Sequence, residues 1–441
     1  MNRRTFTLAL TAAAFVLPAC NDRGERIGGG PSPDPSIAPF RSAASCGSCH
    51  PQHLAEWEAS MHAFAGSDPV MLRMAEIAAA EPGGSIGGEC FECHAPALVR
   101  QQQWLASLPP NADPLVEDLS QDGVSCDVCH SIDIVPPVAD ISFLHDVDPE
   151  GPKLGGLRDP VPNTFHESLH DNSFATSIQC APCHQVNLDE GTGLENTFVE
   201  WLDSLLSGQG IECQTCHMPA YSGSAALGVP ARPNLHRHTF VGVDYAYDDF
   251  RGIDLEAQKD AIRALLETAV QVTTSLPSAA TPGAPLAFDV TVHNHNSGHS
   301  IPSGTSFARE MWISVTVRDA AGEIYRSGWL EANADLVDPA DDPDLAFFGS
   351  TMYDALGQPT FFTWRAASVD ESLLLRFGDA RTASYEVALA PGVTGPVTVE
   401  LALNFRPVNP EMIRELELEE LFPIEIFEMW SETREIPVRM P

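Results

Sequence analysis

Ten of the eleven cysteines fall into five boxes of one form, Cys-x-x-Cys-His: Cys46-Cys49-His50, Cys90-Cys93-His94, Cys126-Cys129-His130, Cys180-Cys183-His184 and Cys213-Cys216-His217. A Cys-x-x-Cys pair alone also serves redox disulfides and half zinc sites. A histidine directly after the second cysteine in every copy is the signature of covalent c-type haem. The two thiols add across the haem vinyl groups, and the imidazole on the same short turn becomes the proximal ligand of the iron. The expected cofactors are therefore five covalent c-type haems. The boxes run from Cys46 to His217, about 34 residues per haem, too few to wrap an apolar core around each one. The haems must themselves be the core, close enough for electrons to pass between neighbours, and this half should not fold without them.

The eleventh cysteine, Cys20, closes Leu17-Pro18-Ala19-Cys20 after Arg3, Arg4 and an apolar run from Phe6. Residues 1–20 read as a signal peptide with a lipobox-like end, which makes Cys20 a lipidation site; a cleaved signal with an incidental cysteine is the alternative. Residues 21–40 are rich in Gly, Pro, Ser and Asp and read as a flexible linker. The expectation is an exported protein, lipid-anchored in the periplasm or at the outer membrane or cell surface. Acidic residues outnumber basic ones 61 to 24, for a net charge of −37, and Lys153 and Lys259 are the only lysines. That balance argues against a nucleic-acid partner and suits a cationic redox partner protein, although an acid excess also keeps an exported protein soluble.

Fifteen histidines leave ten after the proximal five, twice what five bis-histidine haems need. A weak internal repeat helps to choose. Glu56-Trp57-Glu58-Ala59-Ser60-Met61-His62 lines up with His166-Glu167-Ser168-Leu169-His170 at Ser-apolar-His, and with Glu200-Trp201-Leu202-Asp203-Ser204-Leu205-Leu206 at Glu-Trp-x-x-Ser. His62 and His170 are the distal ligands this predicts, and Leu206 stands where a third would be. Residues 51–65 read as one helix, with Pro51 in its first turn and Leu54, Trp57, Met61 and Phe64 on one stripe. At 1.5 Å per residue, His62 is then too far from His50 to share its iron, so it serves another haem. His145, with Asp146 to orient it, is a further candidate. Of His236 and His238, the latter is preferred because Phe240 follows as a packing aromatic. His53 reads as lining a propionate or solvent, and His166 as a neighbour rather than a ligand, unless a slip in the repeat's register exchanges it with His170.

From about Gly252 the chain has no cysteine and alternates β-branched stretches with turns. Residues 253–270 read as a helix. Strand candidates are Leu286 to His293, Met311 to Arg318, Glu323 to Leu330, Ala383 to Leu389 and Val397 to Phe405, followed by helix around Pro410 to Leu421. The expected architecture is multidomain: a haem-packed, mostly α and irregular pentahaem cytochrome domain over 41–250, then an antiparallel, immunoglobulin-like β-sandwich over 251–441. The loop from His293 to Gly304 holds three imidazoles in seven residues. It suits a sixth haem ligand, a separate metal site or simple polar turn chemistry, and His299 is the preferred ligand within it. The acidic run Asp338 to Asp344 lacks the glycine and glutamate of a calcium loop and reads as solvated.

These residues together resemble the multihaem c-type cytochromes related to cytochrome c-554, in which a first box is followed by a Trp-x-x-Ser-x-His helix, here Trp57, Ser60 and His62. Gly123 to His130 and Cys213 to Pro219 look like boxes of that family. Gly298-His299-Ser300-Ile301-Pro302-Ser303-Gly304 is similar to a Gly-His-x-x-Pro-Thr-Gly element of an accompanying β domain, with Ser303 in place of threonine. The resemblance spans about residues 41–315. It implies haems stacked in parallel and perpendicular pairs, mostly bis-histidine ligation, and electron transfer; the family includes both carriers and haem enzymes. Three functions therefore compete. The leading one is electron relay between a membrane-side donor and a periplasmic or extracellular acceptor. The second is a haem oxidoreductase acting on a small nitrogen or sulfur oxo compound at one five-coordinate iron, with the haem nearest Leu206 as its candidate. The third, a module docking through its sandwich, leaves the haems unexplained.

Overall fold

The computed structural model describes residues 40–81, 86–108, 116–132, 147–187, 193–247, 252–330, 333–336 and 341–439. The lipidation candidate Cys20, the linker up to Pro39, and His145 lie outside the described residues. Among the described residues no helix is long and apolar enough to cross a membrane.

In the N-terminal half the haem boxes themselves dictate short helices. In three boxes the histidine amide donates to the carbonyl of the first cysteine four residues back, His50 to Cys46 at 3.0 Å, His130 to Cys126 at 3.0 Å and His184 to Cys180 at 3.1 Å. One such turn gathers two thiols and an imidazole on one side. The helix expected over 51–65 is two helices, Pro51–Glu58 and Met61–Phe64. Ser60 is extended, with ψ 157°, and its Oγ donates back to the Trp57 carbonyl at 2.7 Å, satisfying an end carbonyl that a continuous helix would have used.

The same break recurs in the third copy of the repeat, between Thr197–Leu202 and Leu205–Gly208. Trp57 Nε1 donates to the Val124 carbonyl at 2.8 Å, and Trp201 Nε1 to that of Ile211 at 2.9 Å. Val124 N in turn bonds the carbonyl of His62 at 2.8 Å, and Ile211 N that of Leu206 at 3.0 Å. Each tryptophan helix thus clamps the chain two residues ahead of a later box, Cys126 or Cys213. The glycine at 123 is required here, because a Cβ would stand 2.3 Å from the His62 carbonyl oxygen. The middle alignment fails: Ser168–His170 is a strand, paired in parallel with Lys153–Gly155, and Pro160 and Pro162 upstream rule out a helix leading into it.

The C-terminal half is an antiparallel β-sandwich. One sheet runs in the order 322–327, 310–319, 397–406, 427–436, with 346–348 also pairing to 310–319; the other is 380–388, 285–293, 271–274. Alternation along Pro285–His293 buries Leu286, Phe288, Val290 and Val292 against Met311, Ile313, Val315, Val317 and the inward residues of 397–405. The helix Leu255–Ala269, capped by Asp254, adds Ile262 and Leu266 to the same core. The strand Phe427–Ile436 was not anticipated. It pairs with Val397–Arg406 on one side only, and its polar alternate positions mask the pattern. In the acidic run, Asp342 accepts from Ser327 Oγ and Gly328 N, and Asp344 from Tyr325 OH, so these two carboxylates tie a loop to a strand rather than being merely solvated.

The two halves share packing. Val70, Met74 and Ile77 of the helix Pro69–Ala80 meet Phe307, Val408, Met412 and Ile413. Arg309 binds Asp244 through both terminal nitrogens, at 2.5 and 2.7 Å.

Candidate haem sites

One cavity of about 2660 Å³ runs through the N-terminal half and along the seam with the sandwich. All ten box cysteines and all five box histidines line it, joined by His53, His62, His166, His236, His238 and His299. The chain's own groups fit haem there. Each proximal histidine has its Nδ1 held by an acceptor: His50 by the Ala225 carbonyl at 2.7 Å, His94 by Ala65 at 3.3 Å, His130 by Leu154 at 2.6 Å, His217 by Val241 at 2.6 Å, and His184 by the Glu195 carboxylate at 2.9 Å. A carbonyl or carboxylate only accepts, so Nδ1 carries the proton and Nε2 is left for a metal. Bound there, haem supplies one-electron redox chemistry.

Two metal–imidazole bonds of about 2.0 Å, with ring centres about 1.1 Å behind each nitrogen, put two imidazole centres about 6.2 Å apart across one iron. Four box histidines have a ring at that spacing. His50 faces His166 at 6.4 Å, His184 faces His62 at 6.3 Å, His130 faces His238 at 6.3 Å, and His217 faces His299 at 6.4 Å. Three of the partners also hold their own Nδ1 on a nearby carbonyl: His166 on Glu167, His238 on His236 and His299 on Ser300. Burial pushes His62 and His238 down to about 3 and His217 to about 4, so these rings are neutral at pH 7, the form in which imidazole binds iron. His94 has no ring opposite it among the described residues.

The sequence-derived candidates divide accordingly. His62, His238 and His299 stand across from box histidines. His170 does not. It is absent from the cavity wall, and its Nε2, the nitrogen an iron would need, is bonded to Asn172 Oδ1 at 3.0 Å. His166, set aside as a neighbour, takes that place. The Asn163 side chain accepts from the amides of Phe165 and His166, so the ring is delivered by a turn, not a helix. The turn residues Pro160, Pro162 and Asn163 were the available signal.

His53 also lies 6.2 Å from His50, but Tyr221 OH holds its Nε2 at 2.9 Å. His53, Glu56 and His238 could together offer three metal-ligand atoms, yet Glu56 is already engaged by Arg237 and the His238 amide, and His238 faces His130. His293 and His295 lie off the cavity. The position beside Leu206 is filled: a Cβ on Gly298, which has φ +78°, would come within 3.1 Å of Leu206 Cδ1. The third repeat copy lacks its histidine where the sandwich loop inserts His299.

Contacts between boxes define an order. The Cys46 and Cys126 thiols touch, as do Cys93 with Cys183 and Cys180 with Cys213, while Gln179 Nε2 donates to the Cys129 carbonyl at 3.1 Å. Box one meets box three, box three meets box four, and boxes two and five each meet box four.

Residues 45–131 match the family model described as cytochrome c554 and c-prime. Over these residues the chain is similar to that family of c-type cytochromes. The fold of the chain is similar to that of a penta-heme cytochrome c552 from Thermochromatium tepidum, with TM-score 0.64 and 20% identity over 91% of this chain and 100% of that one. A β-glucosidase from Listeria innocua, solved with isofagomine, aligns at TM-score 0.15 and 14% identity over 38% of this chain and 16% of that one, too slight a likeness to bear on the fold. No curated protein matches the sequence. The family match and the fold likeness support covalent haem cofactors.

Proposed function

We propose that this cytochrome is a five-haem electron relay, exported and anchored through Cys20, that carries electrons between a membrane-side donor and a periplasmic or extracellular acceptor. The observation that carries the reading is the set of four facing histidine pairs, at 6.3 to 6.4 Å, along one continuous cavity. Bis-imidazole iron stays low-spin in both oxidation states and reorganises little, which is what relay demands. The assigned distal ligands are His166, His238, His62 and His299 for boxes one, three, four and five. The net charge of −37 favours partner proteins with a cationic docking face. Haem quantitation on the purified protein, with stepwise potentiometric reduction, tests this: five haems per chain, all reducible through one added donor, are expected. Fewer haems, or haems that reduce only by direct mediator contact, would refute it.

A second reading, redox chemistry on a small nitrogen or sulfur oxo compound, is favoured at a different iron from the one beside Leu206. It belongs to box two, since His94 has no facing ring among the described residues. EPR of the oxidised protein with and without cyanide decides between them: one high-spin signal that cyanide converts supports the enzyme reading, and five inert low-spin signals exclude it.

A further inference from the structure

Four of the five proximal histidines rest Nδ1 on a neutral backbone carbonyl, and one, His184, rests it on a carboxylate, Glu195 Oε1 at 2.9 Å. The hairpin following box four brings the carboxylate there, with Glu195 on the strand Gly193–Glu195 paired to Val186. The acceptor is well sheltered, with the Glu195 side chain 16% exposed. Asp244 and the Pro407 carbonyl take the terminal nitrogens of Arg309, a buried cation that Glu195 feels only at longer range, and among the described residues Glu195 makes no direct ion pair with an arginine or lysine.

An imidazole that donates to an anion gains electron density on its other nitrogen and becomes a stronger ligand of the oxidised metal. Ligand strength and charge next to the iron are two of the means by which a protein sets haem potential. Box four is also where the contacts converge, touching boxes two, three and five. We infer that Glu195 is a positioning residue that makes the box-four haem the low-potential junction of the chain, so that electrons pass uphill there between the box-one and box-three side and the box-two and box-five side. This deepens the relay reading and rests on it.

The test is Glu195→Gln in the haem-loaded protein, which keeps an acceptor oxygen at the same reach and removes the charge. One midpoint potential should rise by at least the equivalent of tenfold in its equilibrium constant, about 59 mV for one electron, with the other four unchanged. The EPR signal that moves should be the one abolished in His62→Ala, and Glu195→Asp should recover part of the shift by restoring the charge. No shift in Glu195→Gln, or a shift confined to another haem, overturns the inference while leaving a relay of five reducible haems intact. A wild-type protein with fewer than five haems would instead bring down the relay reading itself. Equal haem content and thermal midpoint in variant and wild type show that the fold survives the substitution.

Discussion

Replacing His166 and His170 one at a time separates the ring geometry, which favours His166, from the repeat pattern, which points to His170. The His166 ring centre lies 6.4 Å from that of His50, with planes 25° apart, and its Nδ1 is held locally, so on the proposed assignment His166→Ala would remove the second imidazole available to the box-one haem. Of four bis-histidine irons three would remain, and low-spin EPR intensity should fall by about a quarter as a new high-spin signal grows in. His170→Ala removes one hydrogen bond to an asparagine, which costs about 1 kcal/mol of stability and no spin-state change. Spin quantitation of the oxidised proteins at low temperature, at matched haem content, is the assay. A high-spin signal in His170→Ala, or none in His166→Ala, would refute the ring-spacing argument and with it the other three assignments.

Glu200 accepts from Ser300 N at 3.0 Å and Ser303 Oγ at 2.8 Å, holding the segment directly after His299. Glu200→Ala should cost about 3 kcal/mol in charge-assisted bonds and populate a high-spin box-five haem by EPR; unchanged spin state and melting would show that the clamp is idle. Arg406 is fully buried, bonded to Glu310 and stacked on Trp312, so Arg406→Ala should lose about 3–5 kcal/mol in denaturant unfolding, and Arg406→Met with Glu310→Leu distinctly less; a double variant no better than the single would contradict this. Burial pushes the Asp68 carboxyl up to about 6. The folded chain then holds that proton more tightly than the unfolded one, and Asp68 lowers stability as pH rises from about 4 through about 6, by up to about 3 kcal/mol. Asp68→Asn, which still caps Met71 N, should flatten that slope in melting curves at pH 4.5 and 7; an unaltered slope rules Asp68 out as its source.

The cofactor was legible because its attachment is local. Two thiols and an imidazole on one helical turn are a covalent requirement written in five consecutive residues, and no distant contact can alter it. Strands such as Pro285–His293 were legible for a similar reason, since alternation is a property of the chain itself. The pairing of imidazoles was less legible because it joins residues far apart in sequence: the His166 ring lies 6.4 Å from that of His50, and the His299 ring, from the sandwich, 6.4 Å from that of His217. The repeat was real in backbone terms, yet its histidine position is filled by His62 in one copy and by Leu206 packed under Gly298 in the other. No local pattern distinguishes those outcomes. The sequence by itself determined where covalent haem attaches and that a sandwich follows. Only the tertiary structure decided which imidazoles face each other, which proximal ring rests on a carboxylate and in what order the boxes touch, because each depends on spacings of a few ångströms between segments that chain separation does not specify.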